Sequence, residues 1–183
     1  MREKKQKYIW TIGHSTRTIE HFIAMLHSFN IEEAIDIRSF PGSKRYTHFN
    51  KEALQISLPA NGIDYTHLKD LGGRRPARKD SVNTGWRNAA FRGFADYVQT
   101  ENFKKGIEQL EEIAATKRVA YMCSEAVWWR CHRSLVSDYL KLKDWNVFHI
   151  MEIRKAEEHS YTQPAKIIKG ELFYGEINSF FGL

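Results

Sequence analysis

Short apolar runs alternate along this chain with longer segments in which apolar residues recur every three or four positions. A mainly apolar run suits a strand buried on both faces, and the longer spacing suits a helix that lays one side on it. The runs are Tyr8–Gly13, Ala34–Ile37, Ile63–Leu68, Val119–Cys123 and Asn146–Met151, with Val119–Cys123 the clearest and Ile63–Leu68 weakly alternating. Between them, Ile19, Phe22, Ile23, Leu26 and Phe29 predict a first helix, capped by Ser15, Thr16 or Thr18. Asn50 can cap a second that runs to Ala60, and Phe94, Tyr97 and Val98 lead into Phe103, Ile107, Leu110 and Ile113. Leu135, Tyr139 and Leu142 form the face of the last helix. Strand and helix in turn predict an α/β fold: a largely parallel central sheet of about five strands flanked by helices, Rossmann-like and three-layered.

The stretch Lys69–Asn88 has no periodicity and carries Gly72, Gly73, Pro76 and Gly85, so it reads as one long loop of the kind that tends to carry function. Beyond Glu152, Gly170, Tyr174 and Gly175 point to a turn or hairpin. The 183 residues suit one core, and residues 1–183 read as a single domain. A content of 42% hydrophobic and 27% charged residues argues against a disordered or membrane-spanning chain. Met1–Lys5 is basic, but the apolar run after it stops at His14, short of a signal sequence and of the roughly 20 residues that span a bilayer. A cytoplasmic location with Cys123 and Cys131 as thiols is the resulting expectation. The net charge of +6 favours anionic partners such as phosphates, nucleotides or nucleic acid.

In open α/β sheets ligands bind beyond the carboxyl ends of the strands. Here those ends are followed by His14-Ser15, Arg38-Ser39, Gly72-Gly73-Arg74 and Cys123-Ser124-Glu125, which predicts a polar, anion-binding site. Cys131, between Arg130 and Arg133 near a helix start, has the surroundings of a thiolate nucleophile, with His132 or Glu125 as proton carrier. Arg38 can clamp a phosphate or simply pair with Asp36 or Glu125; Ser43 follows it. Arg74 closes the glycine pair of a dense basic run, and Trp86, Trp128 and Trp129 can stack on a base or wall a pocket. A metal bound by Cys123, Cys131 and His132, with Glu125 or His14, is disfavoured because neighbours on a helix point about 100° apart.

The segments Thr11–Ser15, Asp36–Pro41, Tyr65–Leu68 with Leu71–Arg74, and Cys123–Arg133 resemble, in order, the signature of domain-of-unknown-function family 488. Phe91–Tyr97 and His149-Ile150 followed by His159 and Thr162 are similar to its later segments, so the likeness spans nearly the whole chain. It departs at Trp128, where members often carry Pro. The resemblance implies a compact bacterial or archaeal α/β domain and leaves the activity open. Together these readings predict an enzyme acting on a phosphate-bearing substrate. Cys131, Glu125, His132 and His14 would be catalytic, and Ser15, Arg38, Ser43, Gly72, Gly73, Arg74 and Arg133 would hold the anion. The alternatives are a non-catalytic nucleotide or nucleic-acid binder, and a metal-dependent hydrolase or thiol redox protein using Cys123 and Cys131.

Overall fold

The computed structural model describes residues 6–175. In chain order its elements are β1 (Lys7–Gly13), α1 (Ile19–His27), β2 (Glu33–Asp36), α2 (Lys51–Ser57), β3 (Asp64–His67), α3 (Ala89–Val98), α4 (Glu101–Ala114), β4 (Val119–Cys123), α5 (Arg133–Leu142) and β5 (Trp145–Glu152). Three short strands follow, β6 (Lys155–Glu158), β7 (Ala165–Ile168) and β8 (Glu171–Tyr174). The main sheet has the order β3-β2-β4-β1-β5-β6. Its first five strands are parallel and β6 is antiparallel, a sixth strand beyond the five read from apolar runs. The omission follows from its sequence, since the edge strand Lys155-Ala156-Glu157-Glu158 is exposed apart from a half-buried Ala156 and carries no apolar signal.

Alternation along the strands divides the core. Val119 and Tyr121 of β4 face a cluster built with Phe94, Phe103, Ile107, Leu110, Leu135 and Leu140, from α3, α4 and α5. Ala120 and Met122 face the opposite one, which holds Phe22, Met25 and Leu26 of α1 and Leu54 of α2. The three layers are therefore as expected, and among the described residues no helix is long and apolar enough to cross a membrane.

Local boundaries differ in instructive ways. Thr18 is the cap of α1, accepting from the His21 amide. Asn50 stands at the start of α2, yet its side chain makes no cap; Oδ1 accepts instead from the Ser43 amide and holds that loop. The single helical region expected from Phe94 to Ile113 is two helices, because Thr100 caps α4 afresh. The long loop is tied down rather than solvated: Asp96 accepts from the Arg78 amide, the Ser81 hydroxyl and the Asn83 amide group, and Arg75 lies 3.7 Å above the Tyr97 ring. The tail hairpin turns at Lys169 and Gly170, both at positive φ, the backbone that a tight two-residue turn requires.

Beneath α5 lies a buried polar chain. Arg133 donates to the Thr11 hydroxyl at 2.8 Å, Thr11 meets His149 Nδ1 at 3.3 Å, and His149 Nε2 meets His159 Nδ1 at 3.0 Å. His159 Nε2 meets Asp138 Oδ1 at 2.9 Å. One set of proton positions satisfies every contact, with Thr11, His149 and His159 each donating toward Asp138. Burial, with His159 and Arg133 nearby, holds the pKa of His149 down at about 2. Asp138 also accepts from the Thr162 amide, the Thr162 hydroxyl and the Tyr174 hydroxyl, which joins the tail to the sheet. Truncation by Asp138→Ala leaves several buried donors without an acceptor, so we expect a loss of about 3 kcal/mol in urea unfolding. A shift below about 1 kcal/mol would show that this junction is not a main support of the fold.

Candidate functional site

From β1 the chain passes to one side through α1, and from β4 it passes to the other through α5, so the loops leaving these neighbouring strands diverge. Such a switch point opens a crevice at the carboxyl end of a parallel sheet. The loops start in register, the His14 amide donating to Cys123 O and the Ser15 amide to Ser124 O. Around them lies a cleft of about 600 Å³ lined by residues from every predicted strand exit, among them His14, Ser15, Arg38, Ser43, Gly73, Arg74, Cys123, Glu125, Cys131 and His132.

At its floor stand Cys123, at the end of β4, with Cys131 and His132. Cys131 is extended (φ −131°, ψ 147°) and α5 begins only at Arg133, so the side chains of Cys131 and His132 are not splayed around a helix. They converge instead: His132 Nδ1 is 3.6 Å from Cys131 Sγ and 3.8 Å from Cys123 Sγ. Nε2 of the same ring lies 3.0 Å from Ile37 O and must donate there, which leaves Nδ1 free to take a thiol proton. The splaying expected of Cys131 and His132 as neighbours on a helix therefore does not occur. Burial alone disfavours a thiolate at Cys131, but hydrogen bonding from Cys123 and the charge and amide of Arg133 outweigh it and lower its pKa to about 6. Cys123, which supplies that hydrogen bond and is itself buried, rises to about 12.

The arginines sort differently from expectation. Arg38 is buried and its fork is occupied: Nε and Nη2 donate to Asp36 at 2.8 and 2.5 Å, Nη2 also to Phe49 O, and Nη1 to His14 Nε2 at 3.2 Å. It therefore fixes the wall and does not offer a free clamp. Arg133 is 1% exposed, does not line the cleft, and donates to the carbonyl of Glu125 at 2.7 Å and to Thr11. Its assignment to the anion is corrected, because its donors shape the loop. Gly72 packs on Ser39, outside the lining, whereas Gly73 lies against the His132 ring. The exposed cations on the rim are Arg74, above Phe40, and Arg130, which the sequence reading treated only as a flank of Cys131. Neither has a carboxylate partner among the described residues. Its place on an exposed turn before Cys131 was the one available signal.

His14 accepts from Arg38 at Nε2 and donates from Nδ1 to Ser15 O at 2.9 Å, so it orients the wall and is not a free donor to a ligand. Burial and the Arg38 charge depress its pKa to about 4. Ser15 holds a left-handed backbone at φ 48° at the cleft edge, and the Ser43 hydroxyl accepts from the amides of Arg45 and Tyr46. Glu125 is exposed at the mouth with its carboxylate turned to no described partner. Of the tryptophans, Trp86 stacks on Phe91 and Trp128 on His149 at 4.3 Å; Trp129, 50% exposed and edge-on to Trp128, lies outside the cleft lining.

The sequence model of the family described as "Domain of unknown function DUF488" matches residues 18–140. No curated protein and no solved structure matches the chain.

Because folded His14 resists a proton that the unfolded ring accepts near pH 6.5, stability is full above that pH and falls as pH drops toward 4. At pH 5 the loss from this ring is roughly 2 kcal/mol. His14→Gln, which keeps an acceptor for Arg38, should remove this ring's share of the acid slope and leave that of His149, roughly halving it; an unchanged slope counts against the assignment. Iodoacetamide labelling of reduced, chelator-treated protein should show Cys131 reacting with a midpoint near pH 6, far below the ordinary thiol value of 9.0. A midpoint at 8 or above would mean that no thiolate is held there.

Proposed function

The chain belongs to the DUF488 family, whose description assigns no activity, and from the site itself we propose an enzyme acting on a phosphate-bearing substrate. One observation carries this reading: a single cleft has two cysteine sulfurs and an imidazole on its floor, exposed cations on its rim and a carboxylate without a described partner at its mouth. Arg74 and Arg130 hold the anion, since a guanidinium can donate two parallel hydrogen bonds to phosphate oxygens. Ser15 and Ser43 line the same space.

Cys131, His132 and Glu125 then meet the reacting atoms. His132 Nδ1 manages the proton of the sulfur pair, and Glu125 serves as general acid or base toward solvent. His14 and Arg38 are positioning residues, locked to each other and to Asp36. Trp129, next to Arg130 and 50% exposed, offers a stacking face just outside the cleft lining, which suits a nucleotide or nucleic-acid end that extends past the rim. Hydrolysis or group transfer is the reaction class that this set of groups serves.

Calorimetric titration with inorganic phosphate and a panel of nucleotides should give binding that weakens with salt. The Arg74→Ala/Arg130→Ala variant should lose about tenfold or more in affinity. For whichever compound turns over, Cys131→Ala should abolish turnover and keep binding. Absence of any phosphate binding at millimolar concentration, or full turnover in Cys131→Ala, would overturn the proposal.

A further inference from the structure

We infer that Cys123, Cys131 and His132 form a binding site for a soft divalent metal ion, zinc in chemical type, with three protein ligands and a fourth position open to the cleft. The inference rests on the reading of this cleft as a reaction site for the ion's role, and on geometry alone for its binding.

The three donor atoms lie within 4.8 Å of one another. Tetrahedral zinc with sulfur ligands at about 2.3 Å and nitrogen at about 2.05 Å places a sulfur and a nitrogen ligand roughly 3.6 Å apart. The observed separations are 3.6 Å from His132 Nδ1 to Cys131 Sγ and 3.8 Å to Cys123 Sγ, so two edges of that tetrahedron already stand at their required lengths. Thiol–imidazole hydrogen bonds span similar lengths, so what points to an ion is two sulfurs meeting one nitrogen together.

The ring's second contact supports the same assignment. Metal-ligating histidines usually donate their other N–H to a carboxylate or backbone carbonyl, which turns the ligating lone pair toward the ion. His132 Nε2 makes that contact with Ile37 O at 3.0 Å, from the strand exit neighbouring β4. The ligands come from the end of β4 and from the extended pair before α5, two backbones whose distance the sheet and helix hold constant. Two sulfurs and an imidazole select zinc, cobalt or cadmium over magnesium and calcium, which take oxygen.

No further His, Cys, Asp or Glu completes the cluster among the described residues. All three donors line the cleft, so the fourth position faces the space where the anion sits. A closed set of four protein ligands marks a structural zinc; three with an open position mark a site that holds water or a substrate oxygen. With the ion present the sulfurs act as ligands, and the chemistry at the cleft floor belongs to whatever occupies that fourth position. Glu125 at the mouth is then placed to exchange a proton with a bound water.

The test is titration of reduced, chelator-treated full-length protein with cobalt(II). The expected result is one ion per chain with an intense near-ultraviolet thiolate-to-cobalt band, displaced by zinc. Cys123→Ser and His132→Ala should each weaken binding by about 100-fold, and Glu125→Gln should leave it unchanged. Zinc should also protect both thiols of the unaltered protein from iodoacetamide, a readout that needs no variant to fold. Lack of the charge-transfer band in unaltered protein, or undiminished binding in the Cys123→Ser/Cys131→Ser variant, overturns the inference. Phosphate titration of the same metal-free protein separates the two readings: phosphate without cobalt leaves only the anion site standing, and cobalt without phosphate leaves only the metal site.

Discussion

A buried arginine organises this structure. Arg133 is 1% exposed; its two terminal nitrogens are hydrogen-bonded while Nε has no partner, so the burial of its charge rests on the Nη1 and Nη2 contacts. Thr11, His149 and His159 connect it in sequence to Asp138, so the opposite charge sits at the far end of a chain of hydrogen bonds that passes under the helix. The other end of Arg133 donates to the carbonyls of Glu125 and Ala126. That contact bends the loop after β4 back over the sheet. Gly13 is the complement: a Cβ there would lie 1.7 Å from the Glu125 carbonyl oxygen and 2.8 Å from Arg133 Nη2. Only glycine admits the loop so close to β1. Trp128, within the same loop, stacks on His149 of β5 and anchors the loop to the sheet.

The functional arrangement follows from this support. A loop pinned through its carbonyls leaves the Glu125 side chain and Arg130 at the surface, while the return of the chain into α5 brings Cys131 and His132 back beside the end of β4. A second buried pair, Asp36 and Arg38, performs the corresponding task on the next strand exit. Arg38 reaches from Asp36 to His14 and to the Phe49 carbonyl, so the wall of the cleft is built from groups already satisfied within the protein. The floor and the rim retain unused donors and acceptors. This division separates residues that give the cleft its shape from those that can act on a ligand.

Much of this was legible locally. The five parallel strands, the flanking helices, the tail hairpin and the convergence of His14, Arg38, Gly73 and Glu125 all follow from apolar spacing and from the rule that parallel strands deliver their exits to one side. The misreadings share one cause. Arg38, Arg133 and Arg74 are chemically alike in a linear sequence, yet two are committed to partners that tertiary contact supplies and one is exposed. His149 and His159 stood out only through the resemblance and Asp138 not at all, because the polar chain they form exists only once α5, β5 and the tail are packed together.

What the amino-acid order determined by itself was the layer architecture, since buried strands and amphipathic helices are written in periods of residues that any stable packing must respect. It also determined which polar residues stand at strand ends. Only tertiary structure decided their roles, because a role depends on distance and direction across the fold. The extended backbone at Cys131 is the clearest instance. A helix begun two residues earlier would splay Cys131 and His132 apart, whereas the register of α5 against β4 turns both toward Cys123 and places two sulfurs and one nitrogen within reach of a single ion or proton.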